Sequence, residues 1–299
     1  MRNNHLLLLL GLMLASPATA SAQRRMAITI DDVPWVGGGE SNAVRTAMTS
    51  QMITALRRHN APVAVFVVCG RIGDAALLKQ WIHAGATIGN HSARHRNLNE
   101  APLPEWLNDV RSCDRDLRTM TGHPVKFFRF PMLHEGKNAE QANAAASLLR
   151  ELGYRNGHVT VDNSDFVLMQ PYSVALTRGD TARARRIAGR ALTHDLAATR
   201  HFEDVAQSKV RRAIPQIILL HANAMTAALL PPLLDSLAQR GYQFVSLEEA
   251  LRDPVFGKRT CYTGEKGLSF LYRIAPCTPG QDAWDTAEST RLTNPTATR

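Results

Sequence analysis

Met26-Ala27-Ile28-Thr29-Ile30-Asp31-Asp32 is a short, β-branched, apolar run that stops at two adjacent carboxylates. It reads as a strand that delivers an acidic pair at its end. Outward from it the same order repeats. Ala43–His59 is an amphipathic helix leading into Val63–Val68, a nearly pure Val/Phe strand. Asp74–Ala84 (helix) precedes Ala86–Gly89 (strand), and Leu103–Met120, with Pro102 and Pro104 near its start, precedes Val125–Phe130. Ala139–Leu152 precedes Arg155–Val161; Gln216–Leu220 ends in His221 and is followed by Thr226–Gln239, Tyr242–Ser246 and Leu247–Leu251. Regular strand–helix alternation predicts an α/β fold with parallel strands, either a barrel of about seven strands or a doubly wound sheet. No Gly-x-Gly-x-x-Gly follows a strand, so the nucleotide-binding version of such a sheet has no support. An insertion between Phe166 and Ile214 is helical in pattern and basic (Arg183, Arg185, Arg186, Arg190). It reads either as a lid or wall of a substrate groove or as a solvated helix pair.

At the N-terminus, Arg2, the apolar run Leu6–Leu14 and Ala20-Ser21-Ala22 form the pattern of a cleavable export signal, too short to span a bilayer. Residues 1–22 are therefore expected to be a signal peptide, 23–280 one catalytic domain and 281–299 a flexible Thr/Asp/Pro-rich tail. The expected location is periplasmic or secreted, with no stable membrane span. The 299-residue chain carries a net charge of +9. Such a balance suits anionic surfaces or substrates such as cell-wall polymers, or simply a soluble basic surface. The basic residues are dispersed and no aromatic-basic module appears, which argues against nucleic acid as a partner. Four cysteines in an exported chain permit disulfides. Cys261 and Cys277 would staple a Gly-rich C-terminal segment, while Cys69 and Cys113 read as a second pair or as buried thiols.

The polar candidates fall at the C-terminal ends of predicted strands: Asp31-Asp32, His91 and His95, Arg129, Asp162 and Asp165, and His221. In a parallel α/β barrel those ends open on one face, so the groups converge on one cavity. Two imidazoles four apart and a carboxylate from another strand end can surround one divalent cation and leave positions open for water and substrate, as in a catalytic site. His134, His158, His194 and His201 read as surface or loop histidines, His134 close enough to the third strand-end group to touch substrate.

Five short motifs run in order across residues 26–250: Thr29-Ile30-Asp31-Asp32, His91-Ser92-Ala93-Arg94-His95, Arg129-Phe130-Pro131, Asp162-Asn163-Ser164-Asp165-Phe166 and Leu219-Leu220-His221. Together they resemble the polysaccharide deacetylase family, the NodB-homology group also called carbohydrate esterase family 4. The resemblance implies a distorted (β/α) barrel, the NodB-like fold. It also implies metal-dependent hydrolysis of N-acetyl groups from an acetylated amino-sugar polymer or oligosaccharide. An O-acetyl esterase or a non-sugar C–N amidohydrolase are alternatives on the same site; a catalytically weakened carbohydrate-binding protein is the alternative of another class.

By the same resemblance, Asp32, His91 and His95 would bind Zn²⁺, or Co²⁺, Mn²⁺ or Ni²⁺ in its place. Asp31 would be the general base, kept ionised and oriented by Arg129. His221 would be the general acid, oriented by Asp165, which motif alignment favours over Asp162. Pro131, Met132, Phe166 and Leu219 would contact substrate, with a backbone N–H near Met132 helping to hold the oxyanion. Three positions depart from the family pattern: Met132 where Tyr is usual, Phe166 where Trp is usual, and Ala222-Asn223 where His221 would be followed by Asp. All three spare the metal ligands and bear on substrate choice.

Overall fold

A computed structural model describes residues 23–73, 75–276, 287 and 290–292. The expected signal peptide, Cys277 with its expected link to Cys261, and most of the tail lie outside the described residues.

The strands are β1 (Arg25–Val33), β2 (Val63–Val67), β3 (Thr87–Asn90), β4 (Phe127–Phe128), β5 (Arg155–Asn156), β6 (Gln216–His221) and β7 (Gln243–Phe244). The helices are α1 (Asn42–Arg58), α2 (Ala75–His83), α3 (Leu103–Thr121), α4 (Ala139–Leu152), α5 (Phe166–Thr177), α6 (Thr181–Val210), α7 (Ala224–Gln239), α8 (Leu247–Ala250) and α9 (Phe270–Arg273). The strands form one seven-stranded sheet in the order β5-β4-β3-β2-β1-β6, with β7 paired to the start of β1, and every pairing is parallel.

The predicted strand Arg155–Val161 is split in the structure. Its first residues pair with β4, where the Gly157 N–H donates to the Phe128 carbonyl at 2.7 Å. Its last residues reach β6, where Val161 bridges Ile218. One irregular segment thus spans from β4 to β6 and curls the sheet into a distorted barrel, which settles the choice between barrel and doubly wound sheet.

Both faces of the sheet are buried, which is why its strands read as nearly continuous apolar runs. Along β1, Met26, Ile28 and Ile30 join the large core beneath the helices. Ala27 packs inside the barrel with Ala64, Phe66, Phe127 and Ile217. Phe66 fills the interior so tightly that a Cβ at Gly89 would stand 2.6 Å from its ring. The same period of two brings Thr29 and Asp31 to the interior with Ala27.

α1 and α4 start where the side chains of Ser41 and Asn138 accept from the backbone N–H of Val44 and Gln141. Cys69, just past β2, is disulfide-bonded to Cys113 on α3. α6 packs along α5 and α7 through a buried stripe that includes Ile187, Ala191, His194, Ala198 and Phe202, while Arg183, Arg185 and Arg186 stay exposed. The insertion therefore joins the outer helical layer, and only the start of α5 reaches the cavity described below.

The reading of His194 as a surface or loop histidine needs correction. His194 is buried, its Nε2 2.5 Å from the Asn163 carbonyl, because helical periodicity sets it on the inner stripe of α6. His158 packs against Phe270, and His201 Nε2 lies 2.5 Å from the Tyr272 hydroxyl. Within the tail, Leu292 is buried and its carbonyl accepts from Arg190 at 2.9 Å. Among the described residues no helix is long and apolar enough to cross a membrane.

Candidate active site

β1 keeps continuous register with β6 up to the pair Asp31–His221, but its register with β2 shifts between Ile30 and Val33. The bulge lies over the acidic pair, and Asp32 takes a left-handed backbone (φ 62°). A bulge of this kind re-aims side chains at a strand end. Here it lets adjacent carboxylates serve different partners: Asp31 faces the Arg129 guanidinium at 2.9 Å, whereas Asp32 Oδ1 lies 3.3 Å from His95 Nε2.

His91 follows β3 and His95 the short turn after it. Ser92 and His95 also carry positive φ (64° and 55°), as do Met132 and Leu133 (57° and 55°) and Ser164 (52°). Side chains with a Cβ seldom adopt this conformation, and its recurrence at Asp32, His95, Met132, Leu133 and Ser164, which all line one cavity, marks a site where geometry is held against local preference. Nδ1 of His91 lies 2.8 Å from the Arg129 carbonyl. A donor there leaves Nε2 as the free lone pair, which suits a metal ligand.

Asp32, His91 and His95 each offer one ligand atom, and these atoms lie within 4.8 Å of one another. Asp32 Oδ1 is buried and accepts no hydrogen bond; Arg71 Nη1 stands 2.8 Å away, but out of hydrogen-bond alignment. A buried carboxylate oxygen without a donor, flanked by two imidazole nitrogens, is the donor set a divalent cation needs. The residues fit a divalent cation, without distinguishing which one. Burial alone would raise the Asp32 pKa, but the positive groups around it, His221 first and Arg71 among them, outweigh it and hold the carboxyl below its ordinary range. Burial and the nearby His95 push His91 well down, so it is neutral and ready to ligate.

Arg129 is fully buried. It donates to Asp31, to the Thr29 hydroxyl at 2.7 Å and to the Gly157 carbonyl at 2.7 Å, with its guanidinium over the Phe66 ring. Its charge does not keep Asp31 in the ordinary carboxylate range. Burial is the larger influence and, with Asp32 adding to it, lifts Asp31 to about 6 against the opposing pull of Arg129 and His221.

On the opposite side, His221 Nδ1 is 2.6 Å from Asp165 Oδ1, while Asp165 Oδ2 accepts the His221 backbone N–H at 3.2 Å. Asp165 is thus the carboxylate hydrogen-bonded to His221, whereas Asp162 is partly exposed and lines the cavity. Burial alone would lower the His221 pKa, but Asp165, and then Asp32 and Asp31, carry it to about 10.

These groups face a cavity of about 690 Å³. Met132 and Phe166, 51% and 56% exposed, stand on its rim, and Leu219 is in its wall. Pro131 is buried behind the turn and does not line the cavity; Leu133 does. His134 lines it too, its Nδ1 2.6 Å from Asn97 Oδ1. Sequence reasoning missed Arg71, although it too follows a strand end and the same rule would have found it. It also missed Met169 and the stretch Glu265–Leu268 in the wall. The latter belongs to no strand and carried no signal beyond a Gly-rich composition.

The polysaccharide deacetylase family model matches residues 18–157. Over that span the chain is similar to the polysaccharide deacetylase family. The matched span holds the Asp31-Asp32, His91–His95 and Arg129 motifs and ends before Asp165 and His221. A bifunctional xylanase/deacetylase from Pseudobutyrivibrio xylanivorans is 20% identical over 232 residues, 76% of this chain and 30% of that protein. The chain therefore spans about a third of that curated relative. A polysaccharide deacetylase from Bacillus cereus superposes with a TM-score of 0.52 at 20% identity, over 75% of this chain and 92% of the other. A pseudoenzyme of carbohydrate esterase family 4 from Bacillus anthracis does so at 0.53 and 16%, over 77% and 66%. At these identities the likeness establishes the fold, a curled parallel sheet with its helices, as polysaccharide deacetylases have it.

Proposed function

We propose that this protein is an exported, divalent-metal-dependent hydrolase, with Zn²⁺ the first candidate, that removes N-acetyl groups from an amino-sugar glycan. The observation that carries this reading is the facing arrangement of three sets: the Asp32, His91 and His95 donors, the Arg129–Asp31 pair, and the Asp165–His221 pair. When bound, the cation supplies Lewis acidity, polarising the acyl oxygen and making a nearby water more acidic. Asp31, lifted toward neutrality by burial, accepts a proton from the attacking water. His221, held as the cation by Asp165, gives its proton to the departing nitrogen as the C–N bond breaks. A backbone N–H at Met132 helps hold the oxyanion, and Leu219 with Phe166 packs against the acetyl methyl.

The competing class is a glycan-binding protein without turnover, and the pseudoenzyme among the structural neighbours gives it substance. The full Asp31, Asp32, His91, His95 and His221 set favours the enzyme. The deciding assay measures acetate release from acetylated chitooligosaccharides and peptidoglycan fragments, with and without a chelator. Chelator-sensitive release supports the hydrolase; tight glycan binding with bound metal and no acetate supports the binding protein. Release from O-acetyl esters alone would move the activity to an esterase.

A further inference from the structure

The turn Pro131–Leu133 is the most strained element on the cavity rim: Met132 (φ 57°, ψ 17°) and Leu133 (φ 55°) are successive left-handed residues, neither of them glycine. Such a turn persists only where its surroundings over-determine it. Part of those surroundings comes from a distant piece of chain, well past the end of the family match at residue 157.

Gly267 lies flat against this turn. A Cβ added there would land on the Met132 carbonyl oxygen and stand 2.8 Å from His134 Cδ2. The stretch bearing Gly267 is itself fastened to the barrel at both ends. Asn99 Nδ2 donates to the carbonyls of Gly264 (3.0 Å) and Glu265 (3.2 Å). The Ser269 hydroxyl donates to the Thr160 carbonyl at 2.7 Å, and the Phe270 N–H to the Val159 carbonyl at 2.8 Å. Beyond it, Arg273 pairs with Glu135 at 2.9 Å, just after the turn.

We propose that Gly267 is a positioning residue: by seating its bare α-carbon on the Met132 carbonyl, it fixes the backbone N–H of Met132 toward the oxyanion. The proposal rests on the hydrolase reading above. The Met132 carbonyl turns with ψ of Met132 and φ of Leu133; both residues sit in the narrow left-handed well, so displacing the carbonyl loosens the turn that also sets the Met132 N–H. Only glycine permits this approach, because any side chain at 267 must displace backbone rather than a flexible tip.

The test compares Gly267→Ala, and Asn99→Ala as a variant that loosens the segment without adding atoms. The readouts are kcat per bound cation, KM, cation content, and affinity for a tetrahedral phosphonate analogue of the acetyl group. The loss of one oxyanion donor costs about 10²- to 10³-fold in kcat. Gly267→Ala should lose about that much, with KM within about threefold of wild type and cation content unchanged, and should bind the phosphonate weaker by a similar factor. Asn99→Ala should lose kcat in the same pattern by about tenfold, and it decides the matter if Gly267→Ala does not fold. Unchanged kcat per bound cation, or a loss confined to KM with phosphonate affinity intact, would overturn the proposal and leave the segment a mere wall. A wild-type protein that releases no acetate from any substrate would instead overturn the hydrolase reading.

Discussion

Asp31 and His221 are direct partners in the parallel ladder between β1 and β6. The register of two adjacent strands therefore brings the proposed base and the proposed acid together before any loop is considered. Asp31 lies at about 6 and His221 at about 10. The base works deprotonated and the acid protonated, so kcat/KM should rise with pH through the Asp31 value and fall through the His221 value. A bound cation repels protons and moves both limbs downward. A profile of kcat/KM from pH 4 to 11 checks this; a monotonic rise would contradict the pairing.

Asp165→Asn keeps the shape of the His221 partner but removes its charge. The His221 pKa should fall, moving the alkaline limb to lower pH, and kcat should drop by about 10²- to 10⁴-fold. Asp162→Asn should leave the alkaline limb much closer to its wild-type position. The paired pH–rate profiles separate the two carboxylates.

Asp195 on α6 is fully buried, accepts a hydrogen bond from Asn163 at 3.0 Å and leaves its other oxygen without a partner. Burial, with Asp165 adding to it, raises its pKa well above 3.8. The folded state keeps this proton to a higher pH than the unfolded chain, so stability falls as pH rises from 3.8 through the folded value. Asp195→Asn mimics the neutral acid and escapes that loss. Thermal melts should show the variant more stable than wild type near pH 7, with the advantage gone near pH 3.

The Cys69–Cys113 disulfide closes a loop of 44 residues. On the chain-entropy account, a loop of that length contributes about 4 kcal/mol. The double Cys→Ser variant should melt markedly lower than wild type under non-reducing conditions. Equal melting temperatures would show that the bridge adds nothing to the folded state.

The parts of the fold that the sequence displayed were those with a period. Continuous apolar strands such as β1 and β2 announced a parallel sheet buried on both faces, and the strand ends located Asp31, His91, Arg129 and His221. The irregular crossing from Arg155 to Val161 was not legible, because its closure of the barrel depends on partners in two other strands. Asp32 and Asp165 were legible as residues, but the bulge that re-aims one and the loop that presents the other arise from three-dimensional packing. Gly267 was invisible for the same reason: what makes it matter is the carbonyl pressed against it, contributed by a turn far away in the chain. Helical periodicity in α6 could have placed His194 inside, but the density of arginines there drew attention to its solvent face.

The central claim is that Asp32, His91 and His95 hold one divalent cation while Asp31 acts beside it without being needed to bind it. Elemental analysis of purified wild type, Asp31→Asn and His91→Ala, each paired with an acetate-release assay, tests it most directly. The expected result is one cation per chain in wild type and in Asp31→Asn, with turnover lost in the latter, and neither cation nor turnover in His91→Ala. Equal cation loss in both variants, or full cation content in His91→Ala, would contradict it.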